Sequence, residues 1–193
     1  MRKQILFLLI SGLLSCSKSN SGGGGGNTTP PPPAPTFIFK GADISWLTQM
    51  ESSGKIFYNS SGTAEDCIQI LKNLGMNSIR LRVWVNPAGG WNNTADVLVK
   101  ATRAKNLGMK ILIDFHYSDS WADPGQQNKP AAWAAQDFAT LQTSVYDHTF
   151  NVLTALKAGG ITPDWVQVGN ETNDGMLWPT GRASTNMANF AAL

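Results

Sequence analysis

Three times along the chain an amphipathic segment stops at glycine and an apolar run follows. The pentapeptide "KNLGM" occurs at Lys72–Met76 and again at Lys105–Met109, and "LKAGG" at Leu156–Gly160 varies the theme. The runs that follow are "NSIRLRVWV", "MKILIDFH" and "DWVQV". Glycine ends helices because it enters the left-handed region without steric cost. Short apolar strands alternating with amphipathic helices imply a parallel sheet covered by helices.

The spacing predicts a first strand in "FIFKGADIS" and a first helix in "TAEDCIQILKNLG", with Thr63 as N-cap and Ala64, Cys67, Ile68, Leu71 and Leu74 on one face. Cys67 is expected to be a buried small hydrophobe. A second helix runs from Thr94 to Gly108. A long third helix lies within Ala134–Gly160, and "STNMANFAAL" reads as another. Doubly wound and barrel sheets both fit this alternation. The polar residues decide for a (β/α)8 TIM barrel, because they cluster after the strands: Asp43, then Trp84 and Asn86, then Asp114, His116 and Tyr117, then Asn170 and Glu171. "GADISW" is not the glycine-rich turn of a dinucleotide fold, and there is no P-loop. About the first four βα units are expected, so the sequence is expected to be a fragment of an eight-strand barrel.

Residues 1–15 read as a lipoprotein signal peptide: Arg2 and Lys3, then an apolar run from Ile5 to Leu14. "LLSC" matches a bacterial lipobox, with Cys16 as the lipidation site. Residues 16–36 are Gly/Ser- and Pro-rich, a disordered tether. The domain then occupies residues 37–193. The expected location is exported, lipid-anchored at a bacterial cell surface or in the periplasm. Cleavage before Cys16 removes two basic residues from fifteen, leaving thirteen against thirteen acids. That balance, without a basic patch, excludes nucleic acid as a partner. Two cysteines and two histidines without ligand spacing exclude a metal site.

Glycosidic bonds are commonly cleaved by two carboxyl groups. Glu171, at the end of an apolar strand and expected deep in a cleft, suits the acid. Asn170 beside it suits a sugar 2-OH. Arg80 and Arg82 alternate with Leu81 and Val83, so they share one strand face; inside a barrel they would need carboxylate partners. Trp84, Tyr117, Trp121 and Trp178, with His116, follow strands and suit the apolar faces of sugar rings. Trp46, Trp133 and Trp165 are assigned to packing.

"IRLRVWVNP", "IDFHYSDSWADPGQQNKPAAW", "VQVGNET" and "LWPTGR" together resemble glycoside hydrolase family 53, the endo-β-1,4-galactanases, from about Lys40 onward. The resemblance implies a retaining (β/α)8 enzyme, monomeric and needing no cofactor, acting on β-1,4-galactan. It implies Glu171 as acid/base, Asn170 as its helper and Arg80 as the inward arginine beside the nucleophile. His116, Tyr117, Trp121 and Trp178 would line the cleft, with Asp43 and Asp119 as supporting polar groups. The family's nucleophile is a Glu after the seventh strand, and the calcium of some members sits in a late loop. Both positions lie beyond Leu193, so these residues alone are expected to be inactive. Two alternatives stay open: a related β-mannanase or β-glucanase, and a surface glycan-binding lipoprotein on a catalytically dead barrel.

Overall fold

The computed structural model describes residues 38–193; the expected signal peptide, Cys16 and the tether lie outside the described residues. Four strands, β1 (Gly41–Asp43), β2 (Ser78–Val83), β3 (Lys110–Phe115) and β4 (Trp165–Val168), form one parallel sheet in the order β1-β2-β3-β4. Strand order follows chain order without reversal. A doubly wound sheet would reverse at its switch point. The arrangement is four successive units of a (β/α)8 barrel wall.

Two helices make the crossovers between strands, α3 (Thr94–Asn106) and α4 (Phe138–Ala158); two shorter ones, α1 (Leu47–Ser52) and α2 (Cys67–Asn73), lie between β1 and β2. The register puts Asp43 beside Arg80, Arg82 beside Asp114, and Asp114 beside Gln167, all on the concave face. On the other face Ile79, Leu81, Val83, Ile111, Ile113 and Phe115 are buried in one core with Val97, Ala101 and Ala104 of α3 and Leu141, Val145, Val152 and Leu156 of α4. Each fully buried aliphatic contributes about 1.5–3 kcal/mol. This alternation, apolar outward and polar inward, carries the polar side chains to the barrel axis.

The repeated helix stops share one geometry. Gly75 (φ 86°) and Gly108 (φ 65°) adopt the left-handed conformation. Met76 N–H then donates to the Leu71 carbonyl, Met109 N–H to Ala104, and Ile161 N–H to Leu156, the long bond of a Schellman motif in each case. Met109 and Ile161 are buried there. A repeated sequence thus encodes a repeated cap.

Several local expectations differ. The first strand is only three residues long, and α1 had no clear signal. The cap of α2 is Asp66 rather than Thr63: its Oδ1 accepts from the Ile68 and Gln69 amides, and Thr63 instead closes a turn onto Asn59. Cys67 is half-buried at the first position of α2, packed on the core's margin rather than inside it; burial and the nearby acids Asp66 and Glu51 push its thiol up. β4 is not a buried strand: Val166 and Val168 are 41% and 60% exposed, because no element among the described residues covers their side of it. Beyond β4 a short hairpin, β5 (Gly175–Met176) with β6 (Gly181–Arg182), leads into α5 (Ala183–Ala192), which kinks at Asn186.

Candidate active site

Arg80 joins all four strands at the C-terminal end of the sheet. Its Nη1 donates to Asp43 Oδ2 (2.7 Å), and its Nη2 donates to Asp114 Oδ2 (2.6 Å), Asn170 Oδ1 (2.6 Å) and, more weakly, Gln167 Oε1 (3.4 Å). Its side chain is 31% exposed rather than buried, whereas Asp114 is fully buried. A guanidinium suits this position because its planar fork serves several acceptors at once. Burial disfavours the Asp43 carboxylate, but hydrogen bonds from Ser45 and the Arg80 guanidinium outweigh that and hold it below the usual carboxylate range.

Arg80 also fixes the Asn170 amide. Oδ1 faces a donor-only group, and Nδ2 donates to the Ala122 carbonyl at 2.7 Å, so the amide has one orientation. One amide hydrogen is left for a ligand. His116, also buried, accepts the Ala122 N–H at Nδ1. The neutral ring therefore carries its proton on Nε2, 3.0 Å from Asp114 Oδ2 but out of line for a hydrogen bond.

Glu171 follows in a tight turn, with Gly169 at φ 85° and Glu171 itself at φ 48°. A left-handed glutamate is strained by roughly 1–3 kcal/mol. The turn is held from below by Gln127, whose Nε2 donates to the carbonyls of Asn170 (2.8 Å) and Glu171 (3.4 Å). The Glu171 carboxylate has no partner among the described residues. Among the described residues it is exposed, and it lines a cavity of about 750 Å³ together with Asp43, Arg80, Arg82, Trp46, Trp121 and Asn170.

Arg82 departs from expectation. It is 3% exposed, but among the described residues it pairs with no carboxylate. Its guanidinium carbon lies 4.1 Å from the Trp121 ring centroid, 4.8 Å from Trp84 and 5.4 Å from Trp46, and its Nε and Nη2 have no acceptor among the described residues. Three π faces replace the acid. Burial lowers its pKa to about 10. The cage joins Trp84, Trp121 and His116 into one aromatic cluster with ring centroids 5.7–6.2 Å apart.

Three expected cleft residues stand elsewhere. Tyr117 follows Phe115 on the outward face, stacks on it and donates to or accepts from Thr149 of α4; strand alternation sends it to the helices. Asp119 is occupied by the amides of Asn86 and Ala131 and ties two loops together. Trp178 donates its indole N–H to the Asp174 carbonyl, lies under Arg182, and does not line the cavity with Glu171. Conversely Trp46, assigned to packing, is 50% exposed on the cavity wall. Gln127 carried no signal separating it from its loop neighbours. Neither did Lys100, which is fully buried with Nζ donating to the Ser45 carbonyl (2.7 Å), Asn92 Oδ1 (2.9 Å) and Asp96 Oδ2 (2.7 Å). It pins the loop carrying Trp46 to the loop whose Asn92 carbonyl accepts the Trp84 N–H.

Among the described residues no group of three or more His, Cys, Asp or Glu side chains is placed to hold a metal ion. The sequence profile of Glycosyl hydrolase family 53 matches residues 39–193. An arabinogalactan endo-β-1,4-galactanase of Thermothelomyces thermophilus is 43% identical over 155 residues, 80% of this chain and 46% of that protein. A solved fungal β-1,4-galactanase superposes with a TM-score of 0.77 at 41% identity, covering 81% of this chain and 47% of the other. The GH53 catalytic domain of Ignisphaera aggregans gives 0.78 at 40%, covering 85% and 48%. The chain spans less than half the length of the curated relatives it matches.

Proposed function

Because this chain belongs to glycosyl hydrolase family 53, we propose that the protein cleaves internal β-1,4-galactosidic bonds in the galactan side chains of pectin, with retention, and that Glu171 is the acid/base. The observation that supports this most is the Asn170–Glu171 pair: a free carboxylate beside an amide locked by Arg80, in an aromatic-walled cavity at the C-terminal end of a parallel sheet.

Glu171 protonates the leaving glycosidic oxygen, and a carboxylate expected from beyond Leu193 attacks the anomeric carbon. Glu171 then takes a proton from water, which hydrolyses the glycosyl-enzyme. The remaining Asn170 N–H points to the sugar 2-OH oxygen, which it would orient so that the hydroxyl's own hydrogen is free to donate, the bond that strengthens as positive charge develops on the ring. Arg80 keeps Asn170 and Asp43 in place. Trp121 and Trp46 offer faces for sugar rings.

The N-terminal segment supports export and a lipid anchor on Cys16, with the tether holding the domain off a membrane surface. Incorporation of labelled palmitate into wild type but not Cys16→Ala tests this.

Reducing-sugar release from linear β-1,4-galactan, by the complete protein and by Glu171→Gln, tests the activity. A loss of about two to four orders of magnitude is expected for removal of a general acid/base. Undiminished hydrolysis in the variant would remove Glu171 from the role. Galactan binding without hydrolysis by the wild type would favour a glycan-binding protein.

A further inference from the structure

Trp46 borders two cavities. One is the cleft that Glu171 lines. The other, about 440 Å³, is walled by Trp46, Gln49, Ser53, Trp84, Ala88 and Trp91, between α1 and the loop after β2. We propose that this second cavity is an accessory sugar subsite, holding a galactosyl residue of the chain whose scissile bond lies at Glu171. The proposal rests on the galactan-cleaving function proposed above.

Four observations carry it. The volume falls in the range of about 300–1,000 Å³ typical of small-molecule sites. Three of its walls are indoles, and none is lost in the core: Trp46 is half exposed, and Trp84 and Trp91 are partly exposed. A polar group stands ready, since the exposed Gln49 amide on the cavity wall has no partner among the described residues. Finally, the cavity adjoins the cleft, since Trp46 and Met50 line both.

The ligand class follows from sugar stereochemistry. The axial O4 of galactose gathers the C–H bonds of C3, C4 and C5 on one face, which suits an indole surface. Linkage through that axial oxygen bends the chain at each residue. A lateral pocket reached around one tryptophan fits a bent galactan better than a straight β-1,4-glucan.

The test compares kcat/KM of the complete protein for β-1,4-galactohexaose and β-1,4-galactotriose, in wild type, Trp46→Ala and Ala88→Tyr. Trp46→Ala removes a wall, and Ala88→Tyr fills the pocket from an exposed turn without disturbing the core. The hexaose-to-triose ratio is expected to fall about tenfold in both, equivalent to roughly 1.4 kcal/mol of binding. A wild-type ratio in both variants would overturn the subsite. So would a ratio kept in Ala88→Tyr while Trp46→Ala loses activity equally on both substrates, since Trp46 would then be only a wall of the cleft. Failure of the wild type to cleave either oligosaccharide would overturn the galactan function itself, and the subsite with it.

Discussion

Gln127 Nε2 donates to the carbonyl oxygen of Asn170 at 2.8 Å, from a loop 43 residues earlier in the chain. The residue is 2% exposed, and its side-chain Oε1 has no partner among the described residues. A buried amide arranged this way serves the backbone it holds, and that backbone is the left-handed turn presenting Glu171. Gln127→Leu keeps the volume and removes the donor. Its kcat on galactan is expected to fall about 10- to 100-fold with KM changed about twofold or less, because small misplacements of a catalytic group cost that much. Steady-state kinetics decide it; a wild-type kcat would show that the turn holds its shape unaided.

Arg80 should be hard to replace. Asp114 is fully buried, and among the described residues its one hydrogen bond from a charged side chain comes from Arg80. Arg80→Met leaves that acid without its cation, a change worth about 3–5 kcal/mol. Asn170 also loses the donor that orients it, so activity should drop at least about 100-fold. Arg80→Lys, with charge but no fork, should fall between. Denaturant unfolding and galactan hydrolysis read the two effects separately, and a Met variant as stable as wild type would contradict the role given to Arg80.

His148 sets a pH dependence of stability. It sits among the rings of Phe115, Tyr117 and Trp133, and burial pushes its pKa down to about 4. In the unfolded chain a histidine titrates near 6.5. Between those values the unfolded chain binds a proton that the folded chain does not. Its contribution is therefore fully present above about pH 6.5 and is lost as pH falls toward 4, amounting to roughly 2–3 kcal/mol. Urea unfolding at pH 7 and pH 4.5 should show this loss in wild type and a smaller one in His148→Phe. Equal slopes would mean that the ring is solvated.

Lys100 offers a fourth check. Burial pushes its pKa down, and hydrogen bonding and charge attraction from Asp96 only partly offset that. Lys100→Met strands the Ser45 carbonyl and Asn92 Oδ1, leaves Asp96 Oδ2 with the Asn92 N–H but without its cation, and should cost about 2–4 kcal/mol. Tryptophan emission should shift as well, because Trp46 and Trp84 ride on the two loops that Lys100 joins. Unchanged stability and emission would count against the pin.

What the sequence made legible was what repeats or alternates. Helix stops were visible because only glycine sits easily at a Schellman C′ position, and the inward side of β2 because Arg80 and Arg82 alternate with aliphatics. Extending the same alternation through "DFHY" would have sent Tyr117 outward with Phe115. The partners of Arg82 were not visible. They are aromatic rings delivered by three loops, and loop geometry leaves no periodic trace. Gln127 and Lys100 hide for a similar reason: their roles depend on backbone carbonyls brought close by the fold, which no residue type announces. Glu171 stands just past the end of β4, where the apolar run before it pointed.

The Lys100 pin also bears on how these loops can be varied. The segment around Ser45 and Trp46, the turn at Asn92 and the first turns of α3 share one ammonium group, so none is independent. A loop transplanted from a relative at either position alone would arrive without its acceptors. Recombination and directed evolution should therefore find the three segments travelling together, as a single cassette, with Lys100 inside it.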